Sequence, residues 1–342
     1  MKTISKTLTL GTRFSHLYRP LVRNLFLIIL GTAVLAGGTL IYFDERLVDS
    51  LSGRLIEKST QTTNEKLRRL FDAADNGLRV ALRQVEALEI TDPEGRAQLF
   101  GALTPFLSSF DFLDSINLAD AAGNEYVLIK QAGEVLVRHV DTAQPGVAHW
   151  QRHVDGAIAE EWTRQSNNSP LERPWYQGAM QRDPGGDFWT PPYRFLTTKE
   201  PGLSVSSRWT RPQGGGDYVM AFNIALTDIS HYTTQLRPSE HGMTVIFGRE
   251  DKTIGLPPDD RFADDSALLS AVLSPVTELG IPAINAALAA WEDQQRAPGI
   301  FRYRTADQAP WWAGLAVIEL DQEHQIWSAT LIPEQDFLGS LS

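Results

Sequence analysis

The residues best suited to chemistry lie close together between positions 173 and 193. Arg173-Pro174-Trp175-Tyr176 is followed by Phe188-Trp189-Thr190-Pro191-Pro192-Tyr193. An arginine beside two aromatic rings, with more aromatics a turn and a strand away, builds a concave wall. Such a wall holds a small anion by a forked hydrogen bond and covers its apolar part. Trp175 and Tyr176 are adjacent in a helical pattern and cannot share a face, so one of them is expected in the core. The chemistry implied is recognition, with Arg173, Trp175, Tyr176, Trp189 and Tyr193 as candidate ligand-binding residues.

Other constellations carry less. His149 and His153 are four apart in a segment read as helical, a spacing that would suit two metal ligands. No third ligand lies near in sequence, so they are read as surface residues and no metal site is expected. Pro184-Gly185-Gly186-Asp187-Phe188 lacks the glutamate of a GGDEF sequence and reads as a turn. Gly202-Leu203-Ser204-Val205-Ser206 misses the last glycine of a nucleophile elbow, and there is no phosphate-binding loop. No catalytic residue and no cofactor emerge, so this region is not expected to be an enzyme. Trp311-Trp312 reads as core.

The elements that must position these residues follow from periodicity. Leu47, Leu51, Leu55, Leu67, Leu70, Ala74, Leu78, Ala81, Val85 and Leu88 recur at the spacing of one helical face. A helix of ~45 residues extends on the order of 65 Å. Its polar stretch 57–66 is expected to stand free or to pair with a second copy, and its later part to pack on a domain. Asp92 and Pro93 start a new helix as cap and first residue. Strands are expected at 114–119, 125–130, 134–140, 203–209 and 218–226, with helices around 148–164 and 174–182. The pattern recurs in shorter form, with strands at 243–248, 253–256, 300–304, 311–320 and 325–332 and a helix at 282–293. This is an α+β chain with antiparallel sheets.

Ahead of these elements, the uncharged stretch Leu25 to Phe43 is long enough to span a bilayer. Lys2, Lys6, Arg13, Arg19 and Arg23 precede it without any acid, whereas Asp44, Glu45 and Asp49 follow it. The N-terminus is therefore expected in the cytoplasm and the rest outside. A cleavable signal peptide competes, given Val34-Leu35-Ala36. The absence of cysteine rules out a disulfide framework and cysteine-based metal or redox sites. A net charge of −11 excludes a typical nucleic-acid binder.

Together these features resemble the double Cache family of extracytoplasmic sensor domains of bacterial transmembrane receptors. The resemblance rests on the 173–193 motif, on Val219-Met220-Ala221-Phe222-Asn223-Ile224-Ala225-Leu226 as a last distal strand, and on Leu331-Ile332-Pro333-Glu334-Gln335-Asp336-Phe337-Leu338 as an exit segment. It implies a basic leader at 1–24, a membrane helix at 25–43 and a stalk helix at 44–90. A membrane-distal PAS-like module at 91–240 and a membrane-proximal one at 241–342 would follow. It further implies a small-molecule ligand in the distal module, dimerisation through the stalk in the inner membrane, and a missing second membrane helix and cytoplasmic effector such as a nucleotide or diguanylate cyclase, kinase or chemotaxis module. In the amino-acid-binding branch an aspartate on the last strand holds the ligand ammonium; Asn223 stands there in this chain. Phe195 replaces a second expected aspartate. An α-amino acid is thereby disfavoured, and a carboxylate or other neutral-to-anionic small molecule is expected. The competing expectation is a membrane-anchored periplasmic adaptor without a small-molecule ligand.

Overall fold

The computed structural model describes residues 11–131, 133–211 and 216–339, apart from the side chains of 11–23, 33, 34, 36–49, 51, 338 and 339. The long helical pattern forms helix α1 (Gly11–Val85). The chain divides into two units, Met1–Arg54 and Leu55–Ser342. In the first, Leu25, Phe26, Leu27, Ile28, Ile29, Leu30 and Leu35 are solvent-exposed. Positions 33, 34 and 36–43 of the expected membrane span lie outside the described side chains, as do residues 1–10 of the leader. Among the described residues, no helix is long and apolar enough to cross a membrane.

In the second unit, α1 buries Leu67, Leu70, Ala74, Leu78, Ala81 and Val85, the apolar face expected. Two details differ. Leu55 points outward while Ile56 packs with Trp312, Ile332 and Phe337. The polar stretch 57–66, expected free or paired with another copy, buries Thr60 and Thr63. The cause is Gly314: a Cβ there would meet Thr60 Oγ1 at 1.9 Å, so only a glycine lets the helix come this close. Asp92 caps α2 (Pro93–Ser109) as expected, accepting the Gly95 N–H at 2.7 Å with Pro93 in the first turn.

Among the described residues the strands form two antiparallel sheets. The first has nine strands: β1 (Ser115–Asp120), β2 (Glu125–Gln131), β3 (Glu134–Val140), β4 (Val147–Val154), β5 (Ala157–Gln165), β6 (Asp187–Trp189), β7 (Tyr193–Arg194), β8 (Pro201–Thr210) and β9 (Asp217–Ala225). Their order is β5-β4-β3-β2-β1-β9-β8-β6, with β7 also on β8. Helices α3 (Pro174–Met180) and α4 (Leu226–Thr234) complete this part. The helix expected around 148–164 is instead the hairpin β4–β5. Asp155 and Gly156 both have positive φ, 51° and 78°, the two-residue turn that matches strand twist. His149 and His153, spaced as on a helix, sit on one face of a strand.

The second sheet runs β11-β10-β14-β13-β12. It comprises β10 (Met243–Phe247), β11 (Thr253–Gly255), β12 (Gly299–Arg304), β13 (Pro310–Glu319) and β14 (Gln325–Pro333). Around it lie α5 (Asp265–Ala271), α6 (Pro282–Asp293) and the terminal α7 (Glu334–Gly339). Trp291, Ile284 and Leu288 of α6 are buried, and the Trp291 ring meets Trp327 edge-on at 4.7 Å.

Strand alternation decides which residues of the first sheet reach the core. Ile116, Tyr126, Leu128, Val137 and Phe222 join the α1 and α2 side chains in the main apolar cluster. Ser115, Asn117, Glu125 and Asn223, one step away in each strand, take the opposite face, on which α3 packs.

Candidate functional site

A cavity lies on that opposite face. Arg173, Trp175, Tyr193 and Asn223 line it together with Ser115, Asn117, Glu125 and the segment Phe195-Leu196-Thr197-Thr198. Its free space amounts to about 10 Å³, room for roughly one water. Tyr176 and Trp189 lie outside it. Tyr176 packs with Ala119, Val219 and Ala221 beneath α3, and Trp189 is fully buried in the main core.

Local sequence explains each placement. Arg173 is the residue before α3, where Pro174 at the first helical position keeps it extended. Its Nη2 donates to the Arg194 carbonyl at 3.0 Å, and its guanidinium lies 5.5 Å from the centre of the Tyr193 ring. Ser206 Oγ donates to the Trp175 carbonyl at 2.8 Å and fixes α3 on the sheet. Two glycines permit the close packing. A Cβ on Gly178 would land 1.9 Å from the Phe188 ring, and one on Gly202 1.9 Å from the Phe195 ring, which therefore comes close to the β8 backbone beside the cavity.

The floor is a directional hydrogen-bond chain. The Tyr193 hydroxyl is 2.7 Å from Ser204 Oγ, and Ser204 donates to Asn223 Oδ1 at 2.5 Å. Asn223 Nδ2 donates to Ser115 Oγ at 3.0 Å and Asn117 Oδ1 at 2.8 Å. Ser115 Oγ donates to Asp114 Oδ2 at 2.8 Å. Burial pushes the Tyr193 phenol up to about 12, so it stays a donor at neutral pH. Burial also raises Asp114 to about 6, despite the Ser115 bond. Glu125, the one acid lining the cavity, is ion-paired to Arg138, with both side chains almost fully buried, and Arg138 Nη2 also holds Ser166 Oγ at 3.0 Å. With Glu125 so engaged, the charge left facing the cavity is the Arg173 cation, which suits an anion.

The remaining sequence candidates are structural. His153 is buried against Phe100, ring centres 4.0 Å apart, and is not the surface residue expected; burial lowers its pKa. His149 stacks on His139 at 4.9 Å. Among the described residues, no cluster of three or more histidines, cysteines or acids could hold a metal ion. Gly185 and Gly186 form a turn, and Asp187 bonds Arg79 at 3.0 Å. Sequence reasoning missed Ser115, Asn117, Glu125, Arg138 and Ser204, which sheet register alone brings to the site.

No protein-family profile matches the chain, and no curated protein does. Among solved structures it is similar to the ligand-binding domain of the Campylobacter jejuni chemoreceptor Tlp3 in complex with L-valine, with TM-score 0.58 and 12% identity over 86% of this chain and 98% of that one. The ligand-binding domain of the Pseudomonas aeruginosa PAO1 amino acid chemoreceptor PctC, in complex with GABA, matches with TM-score 0.53 and 15% identity over 82% and 99%. The periplasmic sensory domain of Campylobacter jejuni Tlp1 matches with TM-score 0.53 and 11% identity over 86% and 99%. At these identities the likeness is one of fold. The chain shares the fold of these chemoreceptor sensor domains.

Proposed function

We propose that this chain is the extracytoplasmic ligand-sensing input region of a transmembrane signalling receptor and has no enzymatic role. The observation that carries the proposal is the convergence of Arg173, Trp175, Tyr193 and Asn223 on one cavity, from elements up to 50 residues apart in sequence. The ligand is a small carboxylate. Arg173 forks to it, and Trp175 and Phe195 cover its apolar part. An α-amino acid fits less well, because the polar group at the last strand is the amide of Asn223 and Glu125 is held by Arg138. The segment 195–198 must swing aside to admit the ligand, since the free space holds about one water. The span at 25–43 anchors the receptor with its N-terminus in the cytoplasm and its sensor in the periplasm. The stalk helix pairs two copies and carries the change to a cytoplasmic effector. Ligand biases that equilibrium only through different affinity for its two arrangements.

The test is isothermal titration of the full chain in lipid nanodiscs against acetate, propionate, succinate, L-valine and GABA. A carboxylate without an amine is expected to bind, and Arg173→Ala to abolish binding. If only L-valine or GABA binds, the ligand class is wrong and the sensing role stands. If nothing binds and Arg173→Ala leaves receptor output unchanged, the membrane-anchored adaptor is the better reading.

A further inference from the structure

A larger cleft, of about 660 Å³, lies where the two sheets meet inside the second unit. One wall is Pro191, Pro192 and Leu203, from the strands and connection that follow β6; the other is Ile254, Leu320 and Trp327, from the second sheet. Its size is that of sites for small organic ligands, and its lining is mixed, apolar on the two facing walls, with an indole on one of them, and polar or charged around them. It is separate from the cavity at Arg173 and shares no lining residue with it.

The second wall is a fixed structure. Trp327 is held edge-on by Trp291 at 4.7 Å, and the Arg296 guanidinium lies 4.5 Å over Trp291. Arg296 is ion-paired with Asp251. Asp251 and Glu250 both adopt left-handed backbone conformations, φ 56° and 63°, in the turn between β10 and β11. Two consecutive non-glycine residues in that region are costly, about 1 kcal/mol or more each, and strain of this kind gathers at functional sites. The pinned turn places Arg249 and Lys252 at the mouth of the cleft.

The charges of the rim select the ligand. Glu323 is taken up by Arg182 at 2.9 Å and Glu250 by Lys252 at 3.3 Å. His324 Nδ1 lies 3.0 Å from both carboxylate oxygens of Asp321, which fixes that nitrogen as the donor and turns Nε2 away from Asp321. The guanidinium of Arg249 has no hydrogen bond or ion pair among the described residues. The rim therefore offers a forked cation above an apolar slot.

We infer that this cleft is a second ligand site, for a flat apolar anion such as an aryl carboxylate, with its body between Pro191–Pro192 and Trp327 and its carboxylate on Arg249. Both sheets contribute walls, so an occupant ties them together. It also presses on the segment 190–193, whose Thr190 Oγ1 accepts the Ser204 N–H at 2.9 Å and whose Tyr193 reaches the first cavity. The two sites are thereby joined by four consecutive residues.

The test is titration of the full chain in nanodiscs with 1-naphthoate, with empty nanodiscs as the blank. Saturable one-to-one binding is expected, and 1-naphthalenemethanol, which lacks the charge, should bind about tenfold more weakly or less. Arg249→Glu alters an exposed turn residue and should weaken 1-naphthoate by about tenfold or more, while Arg173→Ala leaves it unchanged. Gln325→Trp, which fills the mouth from an exposed position, should block binding with no loss of melting temperature. Absence of saturable heat overturns the inference, as does binding that survives Arg249→Glu or Gln325→Trp, or that Arg173→Ala abolishes. Because the Arg173 variant reports on the first cavity alone, failure here leaves the sensing proposal standing.

Discussion

At the scale of single residues, the cavity on the first sheet is governed by the Arg173 cation and the Asn223 amide. Arg173 is only partly buried, and its guanidinium is already fixed by the Arg194 carbonyl and the Tyr193 ring. Arg173→Ala should lower carboxylate affinity by about tenfold to a hundredfold, the worth of a charged hydrogen bond. Arg173→Lys should recover little of it, because an ammonium cannot fork or stack in the same way. Asn223 is informative in the other direction. Its amide donates to Ser115 and Asn117, so the strand position has no charge for an ammonium. Asn223→Asp would supply that charge, while Asn117 can turn its own amide to donate. The expected result is a gain in L-valine or GABA affinity and a loss for simple carboxylates, read by isothermal titration. Equal affinities in the two proteins would remove Asn223 as the determinant of ligand charge.

At the scale of elements, packing around α3 depends on atoms that are missing. Gly178 lets the helix touch the Phe188 ring, so Gly178→Ala must displace either the ring or the helix. A loss on the order of 2 kcal/mol in chemical denaturation is expected, with weaker ligand binding because Arg173 sits at the same helix start. A melting curve unchanged by this substitution would show that Phe188 yields easily. The same elements show what a sequence reveals. Strands β1, β2, β8 and β9 and the capped start of α2 were legible from alternation and from Asp92-Pro93, because those signals are local. The hairpin β4–β5 was not, since two histidines four apart fit a strand face as well as a helix face, and only the Asp155-Gly156 turn separates the two. Arg173, Trp175 and Tyr193 were legible as site candidates from the motif, and Asn223 only through the family resemblance of the strand that carries it. Ser115, Glu125 and Arg138 were not, because only strand register carries them to the same cavity. Trp189 lay within the motif yet went to the core, a distinction that a residue type cannot express.

At the scale of the whole second unit, Trp189 is the point where three parts meet. Its indole N–H donates to Asp75 of α1 at 3.0 Å, and its backbone N–H donates to Asp321, in the turn between β13 and β14, at 2.8 Å. The strand segment that leads to Tyr193 is therefore tied to α1 and to the second sheet at a single residue. Burial raises Asp75 to about 7, with the negative charge of Asp187 adding to the effect and the Trp189 bond and Arg79 opposing it. The sign of the consequence follows from linkage. The folded chain binds this proton more tightly than the unfolded chain, whose aspartate titrates near 3.8. The contribution of protonated Asp75 to stability is complete below about pH 4 and is lost as pH rises through about 7. Asp75→Asn keeps an oxygen for the Trp189 N–H and removes the ionisation. The variant should match the parent near pH 4 and exceed it at pH 8 by on the order of 2 kcal/mol, discounted for a carboxyl still partly in water. Chemical denaturation across this range measures the difference. A parallel shift of both curves at every pH would mean that Asp75 acts through packing alone, and the junction would then carry no proton-dependent change from the Trp189 strand to α1.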